Sequence, residues 1–476
     1  MASTFLLLPK ASIALALVLA LLLDSLPRGL ARRRTQILIV GVLLVGAVVG
    51  AVGIGRTASF MSGGLLVDRY SIFTDIVLLV IGALVALAAL DGLGAGEDAG
   101  DFLTLLFLAL AGASALASAG NLIVVFLAIE LAIIPTFALV AFRSEDRRSF
   151  ESALKYFLLS VFASAVLLFG LSLVYGATGS VALAAAGQAG AGIADSGLLL
   201  VGVALTLVGF GFKLAAFPFH QWLPDAFEVS HPEVAAFLAV APKLGAMVAL
   251  VRILESLAGQ SAAWTAALAG VALLTMLWGN LGAFRQVRLP RLLAYSAIAH
   301  AGYALVGTAG GGPRGMDGAV VYFAAYSAAA VGAFLVVAAM KRRGLGDRLA
   351  DIRGLGRTHP LLAVSMAVFM ISMIGVPLFA GFWGKFSVFL GAVEGGVVWL
   401  AVVGVLNSAA SFGYYGNVIR LMYMDPEEAP VLDAGEKGPV PWSMRLALGA
   451  AVFFTLLLGI VPALLFGALG VAASVN

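Results

Sequence analysis

The sequence predicts an all-α polytopic membrane protein of about fourteen transmembrane helices, and three observations predict it. Of its 476 residues, 62% are hydrophobic and 11% charged, less than half the roughly 25% charged fraction of a soluble domain. Many of its 57 glycines sit inside long apolar runs, where soluble helices avoid them and membrane helices use them for close contact. The basic residues form short clusters between those runs rather than one continuous face, so the formal charge of +3 reads as a set of topology signals and not as a nucleic-acid surface.

Cutting the chain at charged or Pro/Gly-rich breaks gives segments near the ~20 residues that a span needs. In order they are 5–25, 37–54, 71–90, 101–118, 120–142, 151–176, 196–219, 233–256, 262–282, 291–309, 317–340, 361–390, 397–423 and 443–470. The first run has only Lys10 at its flank and no small-residue cleavage site, which marks a retained helix. With the N-terminus outside, nineteen basic residues face inward. They are Arg28, Arg32, Arg33 and Arg34; Arg143, Arg147 and Arg148; Arg285, Arg288 and Arg291; Lys341, Arg342, Arg343, Arg348, Arg353 and Arg357; and Arg420, Lys437 and Arg445. Only Lys10, Arg56, Arg69, Arg252 and Arg314 then face outward, and this excess orients the chain with both termini outside. No loop exceeds about 20 residues, which excludes a soluble nucleotide-binding domain between helices. The absence of Cys excludes a disulfide, a thiolate metal site and a cysteine-held iron–sulfur cluster.

Four lysines remain within or at the edge of apolar segments: Lys155, Lys213, Lys243 and Lys385. A charge at the bilayer centre costs at least ~2.5–3.5 kcal/mol, so such residues are functional candidates unless they pair or snorkel. Glu130 falls mid-helix in FLAIELAIIPTFALVAF, where it either pins two helices or carries a proton; Pro135 loosens the ladder nearby. Lys213 stands in GFGFKLAAFPFHQWLPDAF, where Pro218 and Pro224 interrupt the helix and free carbonyls for water or an amine. Lys243, in FLAVAPKLGAMVAL, is ten residues from Glu233 and nine from Arg252, too deep to snorkel. Lys385 lies in a run of about 33 residues, Leu361 to Val393, which must tilt or break, with Pro377, Gly381 and Gly384 to break it. Two interrupted segments five helices apart are the pattern of inverted-repeat transporters.

Lys155 follows Glu151 by four residues, so an interfacial ion pair and a functional role both fit. His300, in RLLAYSAIAHAGY, sits mid-helix and suits a relay between two lysines, with a packing role as the alternative. His220, Asp225, Glu228, His231 and His359 fall at loops; those near His220 line a candidate inner access path, and no metal-ligand spacing joins them. Burial disfavours a charged amine, and a carboxylate nearby restores it. If Glu130 and Lys213 approach to about 4 Å, their attraction is ~4 kcal/mol at an effective dielectric of 20, and moving them apart drives proton release.

These stretches resemble the antiporter-like membrane subunits of the proton-pumping NADH:quinone oxidoreductase, respiratory complex I. The likeness is strongest from about Asp101 to Tyr423 and rests on FKLAAFPFHQWLPDAF and RLLAYSAIAHAGY. AFLAVAPK around Lys243, a lysine at position 385 and a chain ending after about fourteen helices look most like the N type. The resemblance implies helices 1–3 over residues 1–100, two inverted five-helix repeats with broken helices over 101–256 and 262–423, and a last helix over 443–476. It implies a proton path through Glu130, Lys213, Lys243, His300 and Lys385, in the plasma (inner) membrane of a bacterium. It also implies a hetero-oligomer with M-type and K-type neighbours in lipid, with no cofactor in this chain and with FMN, iron–sulfur clusters and quinone in partner subunits. The chain departs from the N-type pattern in reading SHPEV where SPTPV is common before the eighth helix, which adds His231 and Glu233, and in reading IPTF where a tyrosine is frequent. A subunit of a multisubunit Na⁺/H⁺ antiporter, with a similar membrane core, and a passive structural subunit pinned by buried charges are the alternatives.

Overall fold

The computed structural model describes residues 2–27, 29–96, 98–142, 146–192, 196–257, 261–424 and 439–470. Arg28, Arg143 and Lys437 of the inner basic set, and the end of the 443–476 segment, lie outside the described residues.

Every predicted apolar run is helical. The α-helices of five or more residues are α1 (Leu8–Leu23), α2 (Leu30–Gly53), α3 (Arg69–Ala89), α4 (Ala99–Ala117), α5 (Leu122–Val140), α6 (Arg147–Thr178), α7 (Leu183–Ala191), α8 (Gly197–Leu214), α9 (Trp222–Val229) and α10 (Pro232–Ser256). They continue as α11 (Ser261–Phe284), α12 (Leu289–Gly310), α13 (Gly312–Arg342), α14 (Pro360–Ile374), α15 (Ala380–Glu394), α16 (Val398–Met424), α17 (Trp442–Ile460) and α18 (Ala463–Gly467). Among the described residues, twelve helices are long and apolar enough to cross a membrane. The chain is an integral membrane protein. Among the described residues the strands are a small antiparallel hairpin, β1 (Ala58–Phe60) with β2 (Leu65–Val67).

The helices are sorted by which faces they bury. α10, α12 and α13 are buried along nearly their whole length, whereas α2, α6 and α16 turn Val45, Val48, Phe162, Phe169 and Leu406 outward. Apolar side chains on the outside are what a lipid environment favours. Close approach uses small residues: a Cβ on Gly112 of α4 would overlap the Ala132 backbone of α5.

Two long runs are interrupted, with local causes. The 196–219 segment stops as a helix at Leu214, where Ala215 turns left-handed (φ 56°), and the chain resumes as α9. Asp225 and Glu228, expected at a loop, therefore stand on a short helix. Pro224 is in its first turn, where no backbone N–H is needed, so the proline starts a helix there instead of ending one. The 361–390 run breaks from Gly375 (φ 93°) through Pro377 and Leu378 (φ 77°) to Phe379. Gly381 and Gly384, expected in the break, lie within α15 and pack closely on Ser372 and Tyr322.

Candidate functional site

Glu130 is carried by α5, whose start is fixed by Asn121 accepting from Val124 N at 2.7 Å. The facing helix α6 presents Ser160 and Ser164, one turn apart and therefore on one face. Lys213, in the last turn of α8, donates to Ser160 Oγ and Ser164 Oγ, both at 3.0 Å. Ser164 Oγ in turn donates to Glu130 Oε1 at 2.5 Å, and Lys213 Nζ lies 3.7 Å from the same oxygen. A hydroxyl thus stands between ammonium and carboxylate, accepting from one and donating to the other. The lysine side chain is 1% exposed and the glutamate 23%, so the carboxylate is the end nearer the chain's surface.

Lys243 is enclosed within α10 and donates to Ala297 O of α12 at 3.3 Å. His300 follows one turn along α12. Its Nε2 is 3.0 Å from Tyr415 OH, its Nδ1 is 2.6 Å from Tyr322 OH, and Tyr326 stacks on its ring at 4.4 Å. Tyr415 OH continues to Ser296 Oγ at 2.5 Å. One further turn brings Tyr303, whose ring face receives Lys385 Nζ at 4.9 Å from its centroid. Ala297, His300 and Tyr303 recur every three residues, about 4.5 Å apart along the axis. One face of α12 therefore runs from Lys243 past His300 to Lys385.

The break between α14 and α15 explains how Lys385 is held. Its Nζ donates to the carbonyls of Met373 and Ile374, each at 2.8 Å, and to Ser408 Oγ at 2.6 Å. These carbonyls are the last of α14, left without N–H partners by the break. The sequence places carbonyls freed for water or an amine beside Lys213; in the structure such carbonyls hold Lys385 at the other break, and Lys213 bonds serines. The amine follows its own side of each break, since Lys213 precedes one and Lys385 follows the other. Among the described residues, neither Lys243 nor Lys385 has a carboxylate within ion-pair distance; Lys213 has Glu130.

The other candidates lie apart from this line. Lys155 pairs with Glu151 at 2.6 Å on an exposed turn of α6, which fits the interfacial ion pair. His220 is buried, stacked on Phe217 with ring centroids 5.7 Å apart, and its Nδ1 has no hydrogen-bond partner among the described residues. Asp225 is bound by Arg291 at 2.8 Å, beside Glu228, which is held by Arg288 and Arg291. His231 is half-buried at the N-cap of α10. Among the described residues, no group of three His, Cys, Asp or Glu side chains is placed to hold a metal ion. An apolar cavity of about 570 Å³ adjoins the α8 break, lined by Gly211, Leu214, Phe217, Leu250 and Trp264 among others.

The sequence analysis did not single out Ser160, Ser164, Ser408 or the four tyrosines Tyr303, Tyr322, Tyr326 and Tyr415. A signal was present: Ser160/Ser164 and Tyr322/Tyr326 are polar pairs at i, i+4 inside apolar helices.

Residues 119–411 match the family described as NADH:quinone oxidoreductase/Mrp antiporter, TM. NADH-quinone oxidoreductase subunit N of Chloroflexus aggregans is 40% identical over 446 residues, covering 91% of this chain and 90% of that protein. A chain of respiratory complex I from Thermus thermophilus, solved with bound Aureothin, superposes with a TM-score of 0.81 at 32% identity, covering 97% of this chain and 99% of that one. A chain of the Mrp complex from Dietzia sp. DQ12-45-1b shares the fold, with a TM-score of 0.84 at 23% identity over 98% of this chain and 96% of that one. On the match over residues 119–411 and on these identities across nearly the full length, the chain belongs to the family of membrane subunits shared by NADH:quinone oxidoreductases and Mrp antiporters.

Proposed function

We propose that this chain is the N-type proton-translocating membrane-arm subunit of an NADH:quinone oxidoreductase, coupled to NADH oxidation and quinone reduction carried out in partner subunits. The observation that carries the reading is the serine-bridged contact of Lys213 with Glu130, whose nitrogen and oxygen are 3.7 Å apart. A proton moves from Lys213 to Ser164 as Ser164 gives its own hydrogen to Glu130; transfer the other way starts from protonated Glu130 and neutral Lys213, with both bonds reversed. Lys243 and Lys385, which have no carboxylate within ion-pair distance among the described residues, are the proton-carrying amines beyond Lys213. His300 exchanges a proton through either ring nitrogen, and Tyr322 and Tyr415 serve as hydroxyl relays. Residues 101–256 and 262–423 form two inverted five-helix repeats, each with one interrupted helix, a reading supported by the two breaks.

The end bearing Arg288, Arg291, Lys341 and Arg342 faces the cytoplasm of a bacterial plasma membrane and both termini face out, a reading supported by the excess of basic residues there. Flavin, iron–sulfur clusters and quinone belong to partner subunits, with M-type and K-type neighbours in the membrane. Isolating the complex that contains this chain tests the proposal. Co-purification with a flavin and iron–sulfur arm that oxidises NADH is expected; an assembly without such an arm that exchanges sodium for protons overturns it.

A further inference from the structure

At the end opposite the basic cluster, three helix ends meet: the start of α3, the end of α10 and the start of α13. Tyr70 OH lies 2.7 Å from Glu255 Oε1 and 2.7 Å from Asp317 Oδ1, and receives Arg69 Nη2 at 3.2 Å. A phenol has one hydrogen to donate. It can satisfy one ionised carboxylate but not two, and two oxygens 2.7 Å apart need a hydrogen between them. A second hydrogen must therefore sit on one of the carboxyls.

Charge leads to the same count. Facing Tyr70 are Arg69, which also bonds Asp317 at 3.1 Å and Leu469 O at 3.0 Å, and Arg252, which bonds Asp68 at 2.6 Å and Ala117 O at 2.9 Å. Among the described residues, two guanidinium groups stand against three carboxylates, and one extra proton makes the group neutral. Lys10 and Asp75, one to two turns deeper, pair with each other at 2.9 Å and add no net charge. Tyr70 and Asp317 are buried while Arg69 is 41% exposed, so the group joins interior to surface. Thr74, one turn from Tyr70 on the same face of α3, is fully buried, and its Oγ1 has no hydrogen-bond partner among the described residues. A hydroxyl so placed calls for a water, which would extend the group inward.

We propose that Glu255 and Asp317 share one excess proton across the Tyr70 hydroxyl, and that this pair is the outer release group of the chain. The inference rests on the proton-translocating reading given above. Glu255 lies on the helix that carries Lys243, twelve residues on, or about 18 Å along the axis. On release, the O–H bond of the protonated carboxyl breaks and its proton passes to water. Tyr70 keeps its own hydrogen, and Arg69 holds the charge left behind.

The test uses the intact complex as parent, Glu255→Gln, Asp317→Asn and Tyr70→Phe forms, compared by infrared spectroscopy at neutral pH and by protons moved per electron in sealed vesicles. A protonated-carboxyl band that shifts in D₂O is expected in the parent and lost in either carboxyl variant, because sharing needs both groups. Both variants are also expected to move fewer protons per electron. If one of them fails to assemble, Tyr70→Phe, with both carboxyls intact, is expected to shift the band. Identical carboxyl spectra, or an unchanged proton ratio in both carboxyl variants, overturns the proposal. Lys243→Met separates the two readings: if it loses pumping while the carboxyl variants keep it, only the release group falls, and if it too pumps normally, the translocation reading fails.

Discussion

Replacing Glu130 with Gln removes the charge opposite Lys213 while keeping the shape and an acceptor oxygen for Ser164. At 3.7 Å and an effective dielectric of about 20, the lost attraction is about 4 kcal/mol. The carboxylate is 23% exposed, and partial hydration makes that figure an upper bound. Each 1.4 kcal/mol is a factor of ten, so up to about three powers of ten are at stake. Glu130→Gln is therefore expected to lower NADH-driven proton uptake by about tenfold or more in vesicles carrying the assembled complex. Ser164→Ala deletes the bridge but leaves both charges and the Ser160 bond, so about 1 kcal/mol is lost, a several-fold effect. Proton uptake within twofold of the parent in a fully assembled Glu130→Gln complex would refute the coupling of these two residues.

Other substitutions probe separate parts of the structure. Lys385→Met leaves Met373 O of α14 without its donor, at about 1–3 kcal/mol, while Ile374 O keeps Ser408 Oγ, so the isolated complex should unfold at lower temperature as well as pump less. Tyr415→Phe cuts the bonds to His300 and Ser296 and is expected to slow proton movement several-fold, whereas Tyr326→Phe keeps the ring stacked on His300 and should do so much less; equal effects would argue against a hydroxyl relay. Lys155→Ala removes an exposed i, i+4 pair worth about 0.3–0.5 kcal/mol, and both thermal stability and proton uptake should stay at parental levels. Gly112→Leu forces a side chain into the Ala132 backbone and is expected to prevent assembly, read as loss of the complex from detergent extracts.

Hydropathy made the helices legible because each apolar run is local information. The run from 196 to 219 and that from 361 to 390 also carried their own prolines, so both interruptions could be anticipated. The breakpoints were harder to read: Gly381 and Gly384 have the composition of a kink but serve close packing against Ser372 and Tyr322, and only tertiary contact separates the two roles. Glu130, Lys213, Lys243, His300 and Lys385 stood out because charge is rare in hydrocarbon. The uncharged groups joining them did not, since a serine or tyrosine in an apolar helix is tolerated whether or not it bonds across helices. Partners far apart in sequence were equally hidden. Lys10 reads as a charge on the outer side, yet it turns inward to Asp75, 65 residues away and buried, and Arg342 reaches Glu233 at 2.7 Å. The donor shortage at Tyr70 involves α3, α10 and α13 and has no trace along any one of them.

Lys243 offers the most direct test that buried amines carry the protons, because no carboxylate pairs with it among the described residues and its removal strands no opposite charge. Proton uptake and NADH oxidation should be followed together in sealed vesicles containing the Lys243→Met complex. Proton uptake reduced about tenfold or more, with the complex assembled, is the predicted result. Uptake at the parental rate would contradict it.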